Sequence, residues 1–428
     1  MKYVMWDLAR VSLARRARRR WTARRAACDD ASRRVAMSPS AFPSLADASA
    51  YAPTTFAWTR EATRANGGIT TDRWLDVFAK STVEFVNRAR ESEEASGGDG
   101  SRARAFGDAF ARVVEACRGL TCEGDEDGLK RATREAARSE ASTSYGDDAP
   151  WTGLNCLEMC RVRDGLLRSH GFYDCFARVK REENRAALKT LPSVLADVDA
   201  KGDDAERLMN VVRGCFAGNI FDLGAAESAA LFGNGGGDFA STKDTLKKRP
   251  WCVDDFDALK TRWLDGKPHA KAIMFVDNSG ADVILGMIPF ARELLRRGTQ
   301  VVLAANSVPS INDITAEELV EHILPALVDL GDAILSPAIA DGRLRVVASG
   351  SDMPVIDLRY LSEEIVNEAK DADFVILEGM GRGIETNLFA KFSIDAMKIA
   401  MIKHKEVATL LDGELYDCVV KFDPAPRR

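Results

Sequence analysis

The stretch Lys271-Ala-Ile-Met-Phe-Val-Asp-Asn-Ser-Gly-Ala-Asp282 decides the architecture. Its apolar run, 272–276, has the length of a strand and stops abruptly at polar residues. A short apolar run bounded by turn residues fits a strand buried on both faces, the kind that builds parallel sheets. In open α/β sheets ligands collect just beyond the carboxyl ends of such strands. Here that place carries Asp277, Asn278 and Asp282, oxygen donors suited to a hard divalent cation such as Mg²⁺ or Mn²⁺. Asp-Asn-Ser-Gly is equally an ordinary turn sequence, so the stretch alone supports a turn and a ligand site alike. The rest of the chain separates the two.

Working outward, strand-like apolar runs at 300–305, 344–347 and 373–377 alternate with amphipathic runs at 284–297, 317–330 and 361–370. The run 394–411 reads as a further helix, with Lys403 beyond its start, and 415–422 closes the series. Alternation of this kind implies a parallel sheet with helices on both faces. The expected architecture is a three-layer α/β/α Rossmann-like domain with a mainly parallel sheet over 251–428. A mainly helical domain over 51–250 precedes it, and residues 1–50 form an irregular leader expected to be disordered. In the helical part, apolar spacing marks helices around Trp74–Phe78–Phe85 and Phe106–Phe110–Val114, separated by Gly97-Gly98-Asp99-Gly100. Residues 154–179 are helical with a stop signal at His170-Gly171-Phe172.

Composition bounds the function classes. Of 428 residues, 46% are hydrophobic and 29% charged, as in an ordinary globular protein, and the net charge of −6 argues against nucleic acid as a partner. No segment approaches the roughly 18 uninterrupted apolar residues of a membrane span. Nine cysteines without a CxxC pair, and four histidines, disfavour a zinc site and a histidine-based triad, and leave reduced thiols as the expected state. The Arg-rich segment 1–36 supports three readings in descending order: a disordered extension, an organelle transit peptide, and an arm binding nucleic acid or membrane. The corresponding locations are cytoplasmic, or mitochondrial or plastidial if the leader is a transit peptide.

If the sheet is parallel, the residues following each strand share one edge. Asp277, Asn278 and Asp282 follow the first strand; Asn306-Ser307 and then Asn312-Asp313 follow the second. Ser349-Gly350-Ser351-Asp352 follows the third, and Glu378-Gly379-Met380-Gly381-Arg382-Gly383 the fourth. This recurrence favours a metal-and-anion pocket over four unrelated turns. Three oxygen donors, Asp277, Asn278 and Asp313, would leave open positions for water and a substrate phosphate. Gly379, Gly381 and Gly383 let backbone N–H groups approach an anion, and Arg382 adds charge and two-pronged hydrogen bonding. Their spacing is wrong for a dinucleotide fingerprint. Upstream, Asn219 and Asp222 stand three apart, one helical face, with capping as the competing role. The loop 233–237 is glycine-rich but no Lys-Ser/Thr follows it, so it is not a P-loop.

These motifs carry a resemblance. Phe275-Val-Asp-Asn-Ser-Gly-Ala-Asp282, Pro289-Phe-Ala-Arg-Glu-Leu-Leu-Arg-Arg-Gly298, Asn306-Ser-Val-Pro-Ser-Ile-Asn-Asp313, Ile356-Asp-Leu358, Glu378-Gly-Met-Gly-Arg-Gly383 and Ile402-Lys403 resemble those of the damage-control metal-dependent phosphatases. Gly171-Phe172, Glu182-Glu183-Asn184 and Ala217-Gly-Asn-Ile-Phe-Asp-Leu-Gly224 match as well. The likeness covers 151–428 and is nearest the stand-alone plant-type branch, similar to the C-terminal phosphatase domain of pantothenate kinase 4. It implies a phosphatase using Mg²⁺, Mn²⁺, Co²⁺ or Ni²⁺ on a small phosphorylated metabolite, for this branch 4′-phosphopantetheine and its oxidised (sulfonate) forms in coenzyme A metabolism. It implies Asp277, Asn278 and Asp313 as metal ligands, with Asp277, Asp282 and Lys403 in catalysis. Asn219, Asp222, Asn306, Ser307, Glu378, Gly379, Gly381 and Arg382 then surround the phosphate. Two alternatives stay open: an S-adenosylmethionine-dependent carboxyl methyltransferase, and a non-catalytic regulatory scaffold.

Overall fold

Alternation of side chains along the central strands builds two cores at once. In β2 (Lys271–Phe275; β1 is the two-residue strand Val253–Asp254), Ala272 and Met274 turn to one face, and Ile273 and Phe275 to the other. β3 (Gln300–Ala305) repeats this with Val301 and Leu303 against Val302 and Ala304. With β4 (Leu344–Ala348), β5 (Phe374–Glu378), β6 (Asp395–Met401) and β7 (Cys418–Asp423) they form a seven-stranded sheet, order β1-β7-β6-β5-β2-β3-β4. Every pairing is parallel except β6 with β7. The computed structural model describes residues 40–119, 153–220 and 239–426. The leader 1–36, Asp222 and the glycine-rich loop 233–237 lie outside these residues.

Helices α1 (Thr71–Ala95), α2 (Ser101–Gly119) and α3 (Cys156–Ser169) share a separate apolar cluster beside the sheet. The stop signal after α3 works as expected: Gly171 has φ +83°, and Phe172 N–H donates to Leu167 O at 2.9 Å. Helices α4 (Ala177–Asp199) and α5 (Asp204–Ile220) differ from expectation. They lie upstream of the boundary near 250, yet Leu195, Val211 and Phe216 join Met274, Leu303 and Ile376 in one core. A helix joins whichever apolar surface its stripe can cover, so these two form part of a sheet-covering layer.

The run 394–411 also corrects the sequence reading: it is a strand, β6, followed by the short helix Lys405–Leu410. Alanine and methionine are good helix formers, but all seven residues of β6 are buried, between β5 and β7. Burial required its charges to be paired in place. Lys398 Nζ sits 2.6 Å from Asp423, and Asp395 is met by Arg262 at 2.6 Å and His269 at 2.8 Å. Because β6 runs parallel to β5, Lys403 follows a strand end on the same edge as Glu378.

Residues 40–50, expected to be disordered, lie against the sheet. Phe42 is 1% exposed and meets the rings of Phe275 and Phe392 edge-on, with centroids at 5.8 and 6.0 Å. Further along the arm, the Tyr51 hydroxyl donates to Asn387 Oδ1 at 2.7 Å. Phe42→Ala is expected to cost about 3 kcal/mol of stability. A shift in denaturant midpoint worth less than about 1 kcal/mol would show that the arm is dispensable to the fold. The seven described cysteines are free thiols.

Candidate active site

The carboxyl ends of β2 and β3 are crossed by the segment that follows β3. Asn278 forms a backbone bridge with Asp313, and Asn306 with Thr315. Ser279 N–H donates to Asn312 O at 2.9 Å, and Ile314 N–H to Asp277 O at 3.0 Å. These ties bring Asp277-Asn278 and Asp313, 35 residues apart in sequence, onto adjacent backbone. Ile311, just before them, has φ +40°, a left-handed conformation that a β-branched residue adopts only under strain. Lys180 of α4, fully buried, anchors the crossing from behind. Its Nζ lies 2.8 Å from Asp174, 2.9 Å from Glu318 and 3.5 Å from Asp313 O. Glu318 in turn closes a capping box with Thr315.

The wall opposite is made by close backbone contact. Asp282 begins a π-helical turn, Asp282–Met287, and π turns recur at functional sites. A Cβ at Gly218 of α5 would lie 2.8 Å from Ala281 O and 2.9 Å from Asp282 Cα. This approach lets Asn219, in the last turn of α5, donate Nδ2 to Asp282 Oδ2 at 2.9 Å and to Glu378 Oε1 at 3.1 Å. Gly218→Ala is therefore expected to cost about 1–3 kcal/mol through overpacking. Gly214→Ala, one turn earlier with its nearest non-helical neighbour at 3.6 Å, should be neutral or mildly stabilising. Comparing the two denaturant midpoints checks this; equal effects would remove the argument from close approach.

Asp277, Asp282 and Glu378 are all buried, and one carboxylate oxygen from each lies within 4.8 Å of the others. Asp282 Oδ2 also accepts from Asn278 Nδ2 at 2.8 Å, while Oδ1 is buried with no hydrogen-bond partner. Asp277 N–H donates to Glu378 Oε2 at 2.9 Å. Burial drives the protonation of all three carboxyls upward. For Glu378 the charges of Asp282 and Asp277 add to it, whereas Arg382 opposes it at Asp277 and Lys403 at Asp282. Three buried carboxylates this close resist joint ionisation unless a cation joins them. Their hard oxygens and the unmet Asp282 Oδ1 fit a divalent metal ion.

Arg382 lies within another π turn, Met380–Glu385, and is 2% exposed. Its two terminal nitrogens pair with Asp277 and Asp313, and Nη2 also donates to Asn306 Oδ1 at 3.0 Å. The sequence reading set Arg382 against an anion; in the fold it is engaged by the carboxylates. The neighbouring glycines also act differently. Gly379 N–H donates to Ile399 O at 3.0 Å and Gly383 N–H to Gly379 O at 2.7 Å. Gly379, at φ +94°, leaves room for Asp277, whose Oδ2 would lie 2.3 Å from a Cβ there. Gly381 similarly passes Pro354 O, 2.3 Å from where its Cβ would stand.

Asn306 donates to Asp313 Oδ2 at 3.1 Å and belongs to the cluster, while Ser307 is exposed and accepts from Gly350 N–H at 2.8 Å. Lys403 is half-buried at the same edge, its charge felt by both Asp277 and Asp282. Sequence reasoning missed Lys180 and the role of Asn184, whose Oδ1 accepts from Gly280 N–H at 2.7 Å. Only the adjacent Glu182-Glu183-Asn184 motif pointed toward α4.

Comparison with known proteins places the chain in a family. Residues 102–419 match the family described as the damage-control phosphatase ARMT1-like domain. A damage-control phosphatase of Arabidopsis thaliana is 46% identical over 82% of this chain and 87% of its own length. Pantothenate kinase 2 of the same plant is 38% identical over 90% of this chain, and the 4′-phosphopantetheine phosphatase of Mus musculus 30% over 89%. The chain spans only 42% and 48% of those two proteins. A solved structure of a DUF89 family protein from Pyrococcus horikoshii aligns over 79% of this chain and 96% of its own, at 17% identity and a TM-score of 0.49. With the match spanning the α2–β7 region that holds every described residue of the carboxylate cluster, the chain belongs to the ARMT1-like damage-control phosphatase family.

Proposed function

We propose that the protein hydrolyses small phosphate monoesters, with 4′-phosphopantetheine and its oxidised forms as substrates. The observation that carries this reading is the buried Asp277–Asp282–Glu378 group with its unpartnered Asp282 oxygen. The 4′-phosphopantetheine phosphatase and pantothenate kinase 2 relatives support the substrate class and its place in coenzyme A metabolism. Asp277, Asp282 and Glu378 would hold the divalent ion, with Asn278 and Asp313 on the adjacent backbone. When bound, such an ion supplies charge neutralisation to a phosphoryl oxygen as the P–O bond breaks.

The side chains perform the remaining tasks. Arg382 holds Asp277 and Asp313 in fixed register and offsets their charge. Asn219 and Asn278 orient Asp282 through its Oδ2, leaving Oδ1 as the oxygen that would reach the ion. Lys403 brings a positive charge to the same edge for a further phosphoryl oxygen. The test is phosphate release from 4′-phosphopantetheine, its sulfonate, sugar phosphates and an aryl phosphate, with Mg²⁺, Mn²⁺, Co²⁺ or Ni²⁺ and with chelator. Metal-dependent release that favours the pantetheine compounds is expected. No release from any ester with any metal would overturn the proposal.

A further inference from the structure

Arg163 of α3 is a buried charge that the site described so far does not use. It is 5% exposed, its Nε donates to Asp164 Oδ1 at 2.8 Å, and its guanidinium carbon stands 4.5 Å over the Phe85 ring. Nη2 is buried and has no hydrogen-bond partner. An unmet buried donor bears its full desolvation penalty, and native proteins seldom leave one so. The ion pair and the aromatic face together fix the plane of the guanidinium, so the direction of Nη2 is set in advance. Asp164 also accepts from the Ser310 hydroxyl, which ties Arg163 to the segment carrying Asp313. The charge of Arg163 is within electrostatic reach of Asp313 itself. Asp164 and Ser310, the two residues that tie Arg163 to that segment, also line a cleft with Arg168, Tyr173 and Asp174.

We propose that Arg163 Nη2 is a substrate-binding donor, held ready for an anionic oxygen of the phosphorylated substrate. The inference rests on the phosphatase reading above and adds a specific contact to it. A charged, planar donor matches a phosphate oxygen better than a neutral acceptor, because charge-assisted hydrogen bonds recover more of the desolvation penalty. Lysine at this position would keep the charge but lose both the plane and the direction.

The test measures KM for a phosphate monoester, the inhibition constant of inorganic phosphate, kcat and melting temperature in R163K and R163M. Both KM and the phosphate inhibition constant are expected to rise by about tenfold or more in each variant, the loss of one hydrogen bond to a charged group. A merely structural arginine would lower the melting temperature and leave phosphate inhibition unchanged, and that result overturns the proposal. A wild-type protein that neither hydrolyses esters nor binds phosphate brings down the phosphatase reading, and this inference with it. An active wild type with unaffected variants brings down this inference alone. Should both variants fail to fold, a crystal of the wild-type protein with Mg²⁺ and inorganic phosphate decides the question. Nη2 at hydrogen-bond distance from a phosphate oxygen supports the assignment, and Nη2 bonded only to water or protein refutes it.

Discussion

Asp277→Asn is expected to lower kcat by about a thousandfold or more while the protein remains folded. The backbone at this position is held by bonds the substitution leaves alone: Asp277 N–H to Glu378, and Ile314 N–H to Asp277 O. The amide fills the same space between Gly379 and Arg382. What disappears is one anionic oxygen from the three that converge within 4.8 Å, and with it much of the affinity for a divalent ion. The stability change should be smaller than for loss of Arg382: burial, Asp313 and Asp282 disfavour this carboxylate although Arg382 favours it, and Arg382 keeps Asp313 and Asn306 as partners. Steady-state rates at saturating metal, alongside circular dichroism, check both halves. Wild-type turnover in a well-folded Asp277→Asn protein would remove Asp277 from the chemistry and sink the assignment of the site.

Arg382→Met should act mainly on stability, by about 3–5 kcal/mol. The guanidinium is 2% exposed and serves Asp277, Asp313 and Asn306 together. Methionine fills part of the volume but leaves two buried carboxylates without their counter-charge. A divalent cation binding among those carboxylates would stabilise the variant by mass action. Adding Mg²⁺ or Mn²⁺ should therefore recover part of the lost melting temperature. A variant as stable as wild type would mean that the ion pairs do not hold the site together.

Much of the architecture was legible along the chain because buried parallel strands announce themselves locally. The apolar run before Asp277, and its repeats at 300–305 and 373–377, need no knowledge of their neighbours to be read as strands. The polar residues at their ends could then be assigned to one edge, since parallel strands share a direction. The same logic failed at 394–411, where Ala396, Met397, Ala400 and Met401 suit a helix and β6 exists because β5 and β7 flank it. It failed again for Phe42, whose burial depends on Phe275 and Phe392, more than 200 residues away.

What the sequence by itself determined is the strands β2 to β5 and the inventory of oxygen donors beyond them. Hydrophobic periodicity and turn chemistry are properties of neighbouring residues. What only the tertiary structure decided is how those donors are used. It placed Asp282 and Glu378 beside Asp277 through Gly218 and Asn219, turned Arg382 onto two carboxylates, gave Gly379 the task of making room for Asp277, and set Lys180 beneath Asp313. These are contacts between distant segments, governed by burial and charge neutralisation, and burial has no expression until the chain has folded.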